Sequence, residues 1–174
     1  VLLVRYAEDG TVGLMINRQT TLPVSDVLRD LKGSSNYSQP LFAGGPVQVE
    51  LVQALLQSAA GPHDAAHVFG SVYLVSKKVE LEKVLVAGKG SKELRIYLGY
   101  CGWGRGQLEN EVNRGGWYIF DGSEGLVFDS KPSTLWSRMI AQTQLRTAGL
   151  KRRFDARDLF GLSSSLTLSS SPRD

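Results

Sequence analysis

A mixed α+β domain built on one sheet is the fold class this chain predicts, and three observations carry it. Apolar, β-branched-rich runs of strand length recur along the chain: VLLVRY, TVGLMINR, SVYLVS, LRIYLGY and WYIFD. Between them lie runs with apolar residues at helical spacing: VSDVLRDL, VELEKVLV and STLWSRMIAQTQL. Several adjacent strands read as hairpins, which argues against a regular doubly wound sheet. At 174 residues, with 42% hydrophobic and 21% charged residues, the chain suits one domain with a real core.

The first two strands, VLLVRY and TVGLMINR, are joined by AEDG, in which Asp9-Gly10 is a hairpin signal. Leu22-Pro23 breaks the chain. Val24, Val27, Leu28 and Leu31 then give a helix from Val24 to Leu31, with Ser25 or Thr21 as its cap. GSSNYSQP is loop, and LFAGGPV is a short strand that ends in a Gly44-Gly45-Pro46 turn. ELVQALLQS fits a helix through Leu51, Leu55 and Leu56, and fits a strand as well. AAGPHDAAH reads as loop and SVYLVS as a strand. VELEKVLV is a helix with Glu80 and Glu82 on its polar side. LRIYLGY is the strand that delivers the chain into a glycine cluster. Leu108 and Val112 make the stripe of a short helix, QLENEVNR, and Gly115-Gly116 stops it. WYIFD is a strand, and EGLVFD is apolar without a clear period. Pro132 and Ser133 open the last helix, with Leu135, Met139 and Ile140 inward. From Thr147 the pattern fades into a Ser-rich stretch that reads as a mobile tail, so residues 1–146 are expected to form the domain and 147–174 the tail.

Composition narrows the function classes. One cysteine allows no internal disulfide and no cysteine-built zinc site. His63 and His67, with Asp64, make at most a partial metal set in a polar loop, so no metal and no cofactor are expected. No apolar run approaches the ~18 residues of a membrane helix, and no secretory signal is visible. The chain opens at Val1, inside a strand and without a Met, as a fragment or processed chain does. The expected location is the cytoplasm, with any upstream targeting segment left open. The net charge of +3 is uneven: residues 1–144 are balanced, while residues 145–174 carry six Lys+Arg against three Asp+Glu. Lys151, Arg152, Arg153 and Arg157 surround Phe154, a pattern that suits contact with a phosphate backbone. Asp155 and Asp158 dilute it.

The stretch LGYCGWGRGQLENEVNRGGW is the most informative. Gly102-x-Gly104-x-Gly106 lies between a strand and a helix, where glycine-rich loops hold phosphates, and Asp121 sits near the distance of a ribose-binding acid. The spacing is not G-x-G-x-x-G, however, and Trp103 fills a position where backbone should approach ligand. The better reading is a sharp turn permitted by Gly102 and Gly104, with Trp103 plugging the gap beside it. Gln107 and Glu111 share a helix face. Glu109 lies on another and is placed to pair with Arg105. Cys101 is most simply a small buried hydrophobe; at a helix N-terminus it would instead be a reactive thiol and a redox candidate.

The same stretch resembles the signature of the AlgH/YqgE family of bacterial proteins, GY-x-GW-x-x-GQL-x-x-E-i-x-x-x-x-W. It is met here by Gly99, Tyr100, Gly102, Trp103, Gly106, Gln107, Leu108, Glu111 and Trp117. GLMINR, from Gly13 to Arg18, and FAGGPV, from Phe42 to Val47, resemble two earlier motifs of that family, and Trp136 matches a late Trp. The resemblance spans about Val1 to Leu145. The family pattern starts earlier than Val1 and does not include the Ser-rich tail. The resemblance implies a compact domain whose mixed sheet folds into a pseudo-barrel with flanking helices. Some members are labelled transcriptional regulators, and the family offers no catalytic residues to carry over. The family motifs nominate Asn17, Gly44, Gly45, Gly102, Trp103, Gly106, Gln107, Glu111 and Trp117 as binding candidates.

Three function classes follow. The first is a non-enzymatic binding or regulatory protein, which is the preferred reading. The second is an enzyme or ligand-binding protein with a site near Trp103, Gln107 and Glu111. The third is a thiol redox sensor at Cys101.

Overall fold

In the computed structural model, which describes residues 1–90, 92–147 and 166–170, the first two apolar runs pair as the expected hairpin. Strand β1 (Leu2–Ala7) runs antiparallel to β2 (Gly10–Leu14), with Ala7 opposite Gly10. Strand β3 (Gln19–Pro23) then leads into helix α1 (Val24–Val27), which is shorter than the sequence spacing suggests. Neither Thr21 nor Ser25 caps it: Pro23 is the N-cap residue and supplies no side-chain hydrogen bond. Leu28 leaves helical geometry, and the chain goes on through a 3-10 turn at Ser34–Asn36. Val24 and Leu28 are nevertheless buried in one cluster, so the i, i+4 pair does its packing without a full helix.

Strand β4 (Pro40–Ala43) precedes β5 (Val47–Gln57), which settles ELVQALLQS as strand. The continuous apolar run is explained by burial on both faces. Ala54 and Leu56 enter one core cluster with Leu94, Ile96 and the α1 residues, while Leu55 enters another with Phe42, Val72 and Tyr97. Strands β6 (Ala66–Phe69) and β7 (Val72–Val75) form a hairpin, so Ala66 and His67 belong to a strand and not to the loop expected there.

Helix α2 (Lys78–Val86) buries Leu81, Val84 and Leu85. Glu80, expected on the polar side, is only 6% exposed, and its carboxylate accepts from Lys83 Nζ at 2.6 Å. Glu82 keeps the polar side and accepts from the Lys32 amide.

Strand β8 (Leu94–Gly104) corrects the reading of the glycine cluster. The strand does not end at Tyr100. It runs through Gly99 and Gly102 to Gly104, with Gly102 opposite Val12 and Gly104 opposite Gly10. The sharp turn is confined to Arg105 and Gly106. Helix α3 (Gln107–Asn113), strand β9 (Trp117–Asp121), helix α4 (Glu124–Val127), a 3-10 turn at Pro132–Thr134 and helix α5 (Leu135–Thr147) follow. Gly115 and Gly116 close α3 in a Schellman arrangement, donating to the Val112 and Glu111 carbonyls. Leu135 and Met139 are buried in the second cluster, as their spacing predicts.

The last strand, β10 (Leu166–Ser170), comes from the Ser-rich stretch that composition assigns to a tail. It pairs with β1 and, over five residues, with β9. The remaining tail, including Lys151, Arg152, Phe154, Arg153 and Arg157, lies outside the described residues.

The sheet order is β6-β7-β5-β8-β2-β1-β10-β9, with β3 and β4 branching from β8. The β8 strand is the hinge of this topology. Its first half lies between β5 and a parallel β4, and its second half pairs with β2. The result is the mixed α+β architecture with a nearly closed, barrel-like sheet and flanking helices that the family resemblance implied.

Candidate functional site

Most of the predicted site residues gather where β8 turns into α3. Gly106 stands at φ 71°, the left-handed region that favours glycine, and it is the N-cap residue of α3. The Gln107 side chain accepts from the Gly104 amide at 3.1 Å and donates to Glu111 Oε1 at 3.0 Å. Glu111 Oε2 accepts from both indoles, Trp103 Nε1 at 3.1 Å and Trp117 Nε1 at 2.8 Å. The two rings meet edge to face, 5.8 Å between centroids at 74°. Trp103 packs with Leu3 and Leu108 in a third cluster, so the indole fills the space under α3 as expected.

Burial alone would raise the Glu111 carboxyl. Its hydrogen bonds from Trp117, Gln107 and Trp103 outweigh that and hold it below the ordinary value. A carboxylate with two indoles and an amide on it is a lock that joins β8, α3 and β9. Glu109 does not pair with Arg105; it accepts from Tyr6 Oη on β1 at 2.5 Å and ties α3 to the first hairpin.

Gly44 and Gly45 form a second group with Gly99 and Cys101. A Cβ on Gly44 would stand 2.3 Å from the Gly99 carbonyl oxygen, and one on Gly45 2.0 Å from the Tyr100 carbonyl carbon. These glycines let two backbones cross in contact. The Gly44 carbonyl accepts from the Met15 amide at 2.8 Å, which places Asn17 in the turn just beyond. Cys101 Sγ lies 3.7 Å from the same carbonyl. Burial pushes this thiol up, with Arg18 opposing, which is the direction away from an activated thiolate. His63, Asp64 and His67 do not converge on a metal. Asp64 pairs with Lys77 at 3.1 Å, His67 bonds the Gly70 carbonyl, and no metal-binding group of three is present among the described residues.

A third locus escaped the sequence reading. A cleft of about 690 Å³ opens at the start of β8, between β4, β5 and the α4 segment. Phe42, Leu94, Ile96 and Phe128 supply apolar lining, with Arg95, Gln39 and Gln57 among the polar groups. Arg95 is only 7% exposed. Its Nη2 donates to the Asp129 carbonyl, and its guanidinium lies 4.7 Å from the centre of the Phe42 ring. Burial lowers its pKa, against the favourable influence of Tyr97 and Asp129. The cleft carboxylates are already engaged. Glu124 takes the Ser71 hydroxyl and amide, and Asp129 pairs with Arg138 at 2.7 Å. The signal for this locus was a lone arginine inside the apolar strand LRIYLGY.

A mixed barrel-like sheet with a β8–α3 corner locked by Trp, Gln and Glu defines an AlgH-like domain. The chain belongs to the AlgH-like family, whose pattern matches residues 1–148. It is 31% identical over 141 residues to a UPF0301 protein of Chlorobium limicola, covering 80% of this chain and 74% of that one. It is 35% identical over 146 residues to a UPF0301 protein of Streptomyces avermitilis, with the same coverage. Among solved structures it is similar to the solution structure of AlgH from Pseudomonas aeruginosa, at TM-score 0.67 and 27% identity, covering 87% of this chain and 83% of that chain. A crystal structure of a Corynebacterium diphtheriae protein shares the fold at TM-score 0.60 and 19% identity, covering 80% and 75%. No helix among the described residues is long and apolar enough to cross a membrane.

Proposed function

We propose that this protein is a binding module of the cytoplasm that works through a small ligand held in the cleft at the start of β8. One observation carries this reading: a concavity of about 690 Å³, in the size range of small-molecule sites, lined by polar and apolar residues in near equal measure. The Trp103–Gln107–Glu111–Trp117 group, nominated from the family motifs, serves in this reading as the brace of the corner. The test is a fragment titration followed by amide shifts. Fragments are expected to move Phe42, Leu94 and Ile96 and to leave Trp103 and Gln107 still. Gly125→Trp is expected to abolish those shifts. Gly125 belongs to the cleft lining, and a Cβ there meets nothing closer than 4.0 Å, so a side chain can start from this position without a backbone clash. Binding that survives Gly125→Trp, or that maps to Trp103, would sink the reading.

A second reading is the transcriptional regulator suggested by the label of some family members. Its support is the excess positive charge of residues 145–174 around Lys151, Arg152, Arg153 and Arg157. Anisotropy with random duplex DNA across a salt series tests it. Affinity falling steeply with salt supports the reading, and no binding at low salt refutes it.

A further inference from the structure

We infer that the cleft takes a small organic acid carrying a single carboxylate, anchored by the Arg95 guanidinium; this rests on reading the cleft as the binding site. Arg95 sits in the interior of β8, flanked by Leu94 and Ile96 and opposite Leu55. A buried cation is ordinarily balanced by a hydrogen-bonded carboxylate. Here Nη2 has only a neutral carbonyl, and no carboxylate lies within ion-pair distance of Arg95 among the described residues. Nη1 is buried and makes no hydrogen bond of ordinary geometry.

Arg95 does not stand alone in this. Gln39, also in the cleft lining, has a buried Nε2 without an acceptor. The Tyr97 hydroxyl, two residues along β8, is close enough to Arg95 for a weak hydrogen bond with it, outside ordinary geometry. Buried donors left unpaired are rare in folded proteins, and each calls for a partner. Two N–H donors at one cleft lack the same thing, an oxygen acceptor. One of them is a cation that the Asp129 carboxylate reaches only from beyond ion-pair distance, so the acceptor that suits it is an anion. A guanidinium presents a planar fork whose geometry matches a carboxylate.

Electrostatics sets the charge of the ligand. Lys92 and Arg95 share the lining with Glu124 and Asp129. Hydrogen bonds from Ser71 hold Glu124 below the ordinary value. Burial pushes Asp129 up, but its bond from Arg138 and the Lys131 amide outweigh that. Both are therefore anions at neutral pH, so a polyphosphate would meet much more like-charge repulsion than a single carboxylate. The walls of Phe42, Phe128, Leu94 and Ile96 suit an apolar body behind the acid group.

The test is an amide-shift titration of the full chain with benzoate, benzamide and inorganic phosphate as probes. Benzoate is expected to move Phe42, Leu94 and Ile96 and to bind about tenfold more tightly than benzamide, the margin of a charge-assisted bond. Arg95→Met is expected to bring the two probes within about twofold of each other. Should that variant fail to fold, Arg95→Lys and Gln39→Leu serve instead. Arg95→Lys is expected to weaken benzoate and leave benzamide unchanged, and Gln39→Leu to weaken both. Equal binding of benzoate and benzamide at the cleft would overturn the anion inference and leave the cleft reading standing. Phosphate displacing benzoate would overturn the carboxylate class. If no probe reaches those amides at millimolar concentration, both readings fall, and the unpaired donors are served by water.

Discussion

Replacing Glu111 with alanine removes the acceptor for three donors at once: the indoles of Trp103 and Trp117 and the Gln107 amide. A hydrogen bond to a charged group contributes about 1.5–3 kcal/mol when well buried, and less where water competes. The two indole bonds are partly buried and the Gln107 bond is exposed, so about 1–1.5 kcal/mol for each indole bond and about 0.5 kcal/mol for the Gln107 bond is reasonable, or roughly 3 kcal/mol for the set. Trp103 is 8% exposed, and its N–H would be left without an acceptor. For a chain of this length, 1 kcal/mol moves the midpoint by about 2–4 °C, so the variant should melt roughly 6–12 °C below the wild type. The assay is thermal and urea unfolding followed by tryptophan fluorescence, which also reports the environment of both indoles. The pH dependence has a definite sign. The folded carboxyl lies below the ordinary value for a glutamate, so its contribution is present above that ordinary value and is lost as pH falls through the folded pKa. The gap between the wild type and Glu111→Gln should therefore be full at neutral pH and close as pH falls through and below the ordinary carboxylate range. A Glu111→Ala variant within about 0.5 kcal/mol of the wild type, or a gap independent of pH, would refute the lock.

Three further outcomes follow from the geometry. Gly45→Ala should yield insoluble protein or a loss of several kcal/mol, because its Cβ has only 2.0 Å to the Tyr100 carbonyl carbon; normal expression and melting would contradict the backbone crossing. Deleting residues 166–174 uncovers the edges of β1 and β9, so the midpoint should fall and a tendency to self-associate should appear. Unchanged melting and a clean monomer would show that β10 is dispensable. The Cys101 thiol should alkylate slowly at neutral pH and speed up only above the ordinary thiol range, since burial raises it. Rapid alkylation at pH 7 would restore the redox reading.

Local pattern and tertiary context each decided different parts of this protein. The hairpin at Asp9-Gly10, the helix under Leu81 and Leu85, the inward Leu135 and Met139 and the stop at Gly115 were legible in the sequence. Each is a short-range effect: a turn chemistry, a 3.6-residue period or a left-handed cap. The family motifs also pointed to the residues of the corner. What those residues do was decided by the fold. Glu111 could be read as a solvated helix position until β9 brought Trp117 to it and β8 brought Trp103. The glycines of β8 read as a turn, because strand pairing with β2 and the crossing of Gly44 and Gly45 are long-range facts. ELVQALLQS stayed open because a strand buried on both faces loses its period of two. Arg95 is the extreme case: its charge is plain in the sequence. Its burial, its Nη1 without a well-formed hydrogen bond and its place with Gln39 in one cleft lining arise only when β4, β5 and α4 close around β8, because desolvation is a property of the packed surroundings and not of the residue.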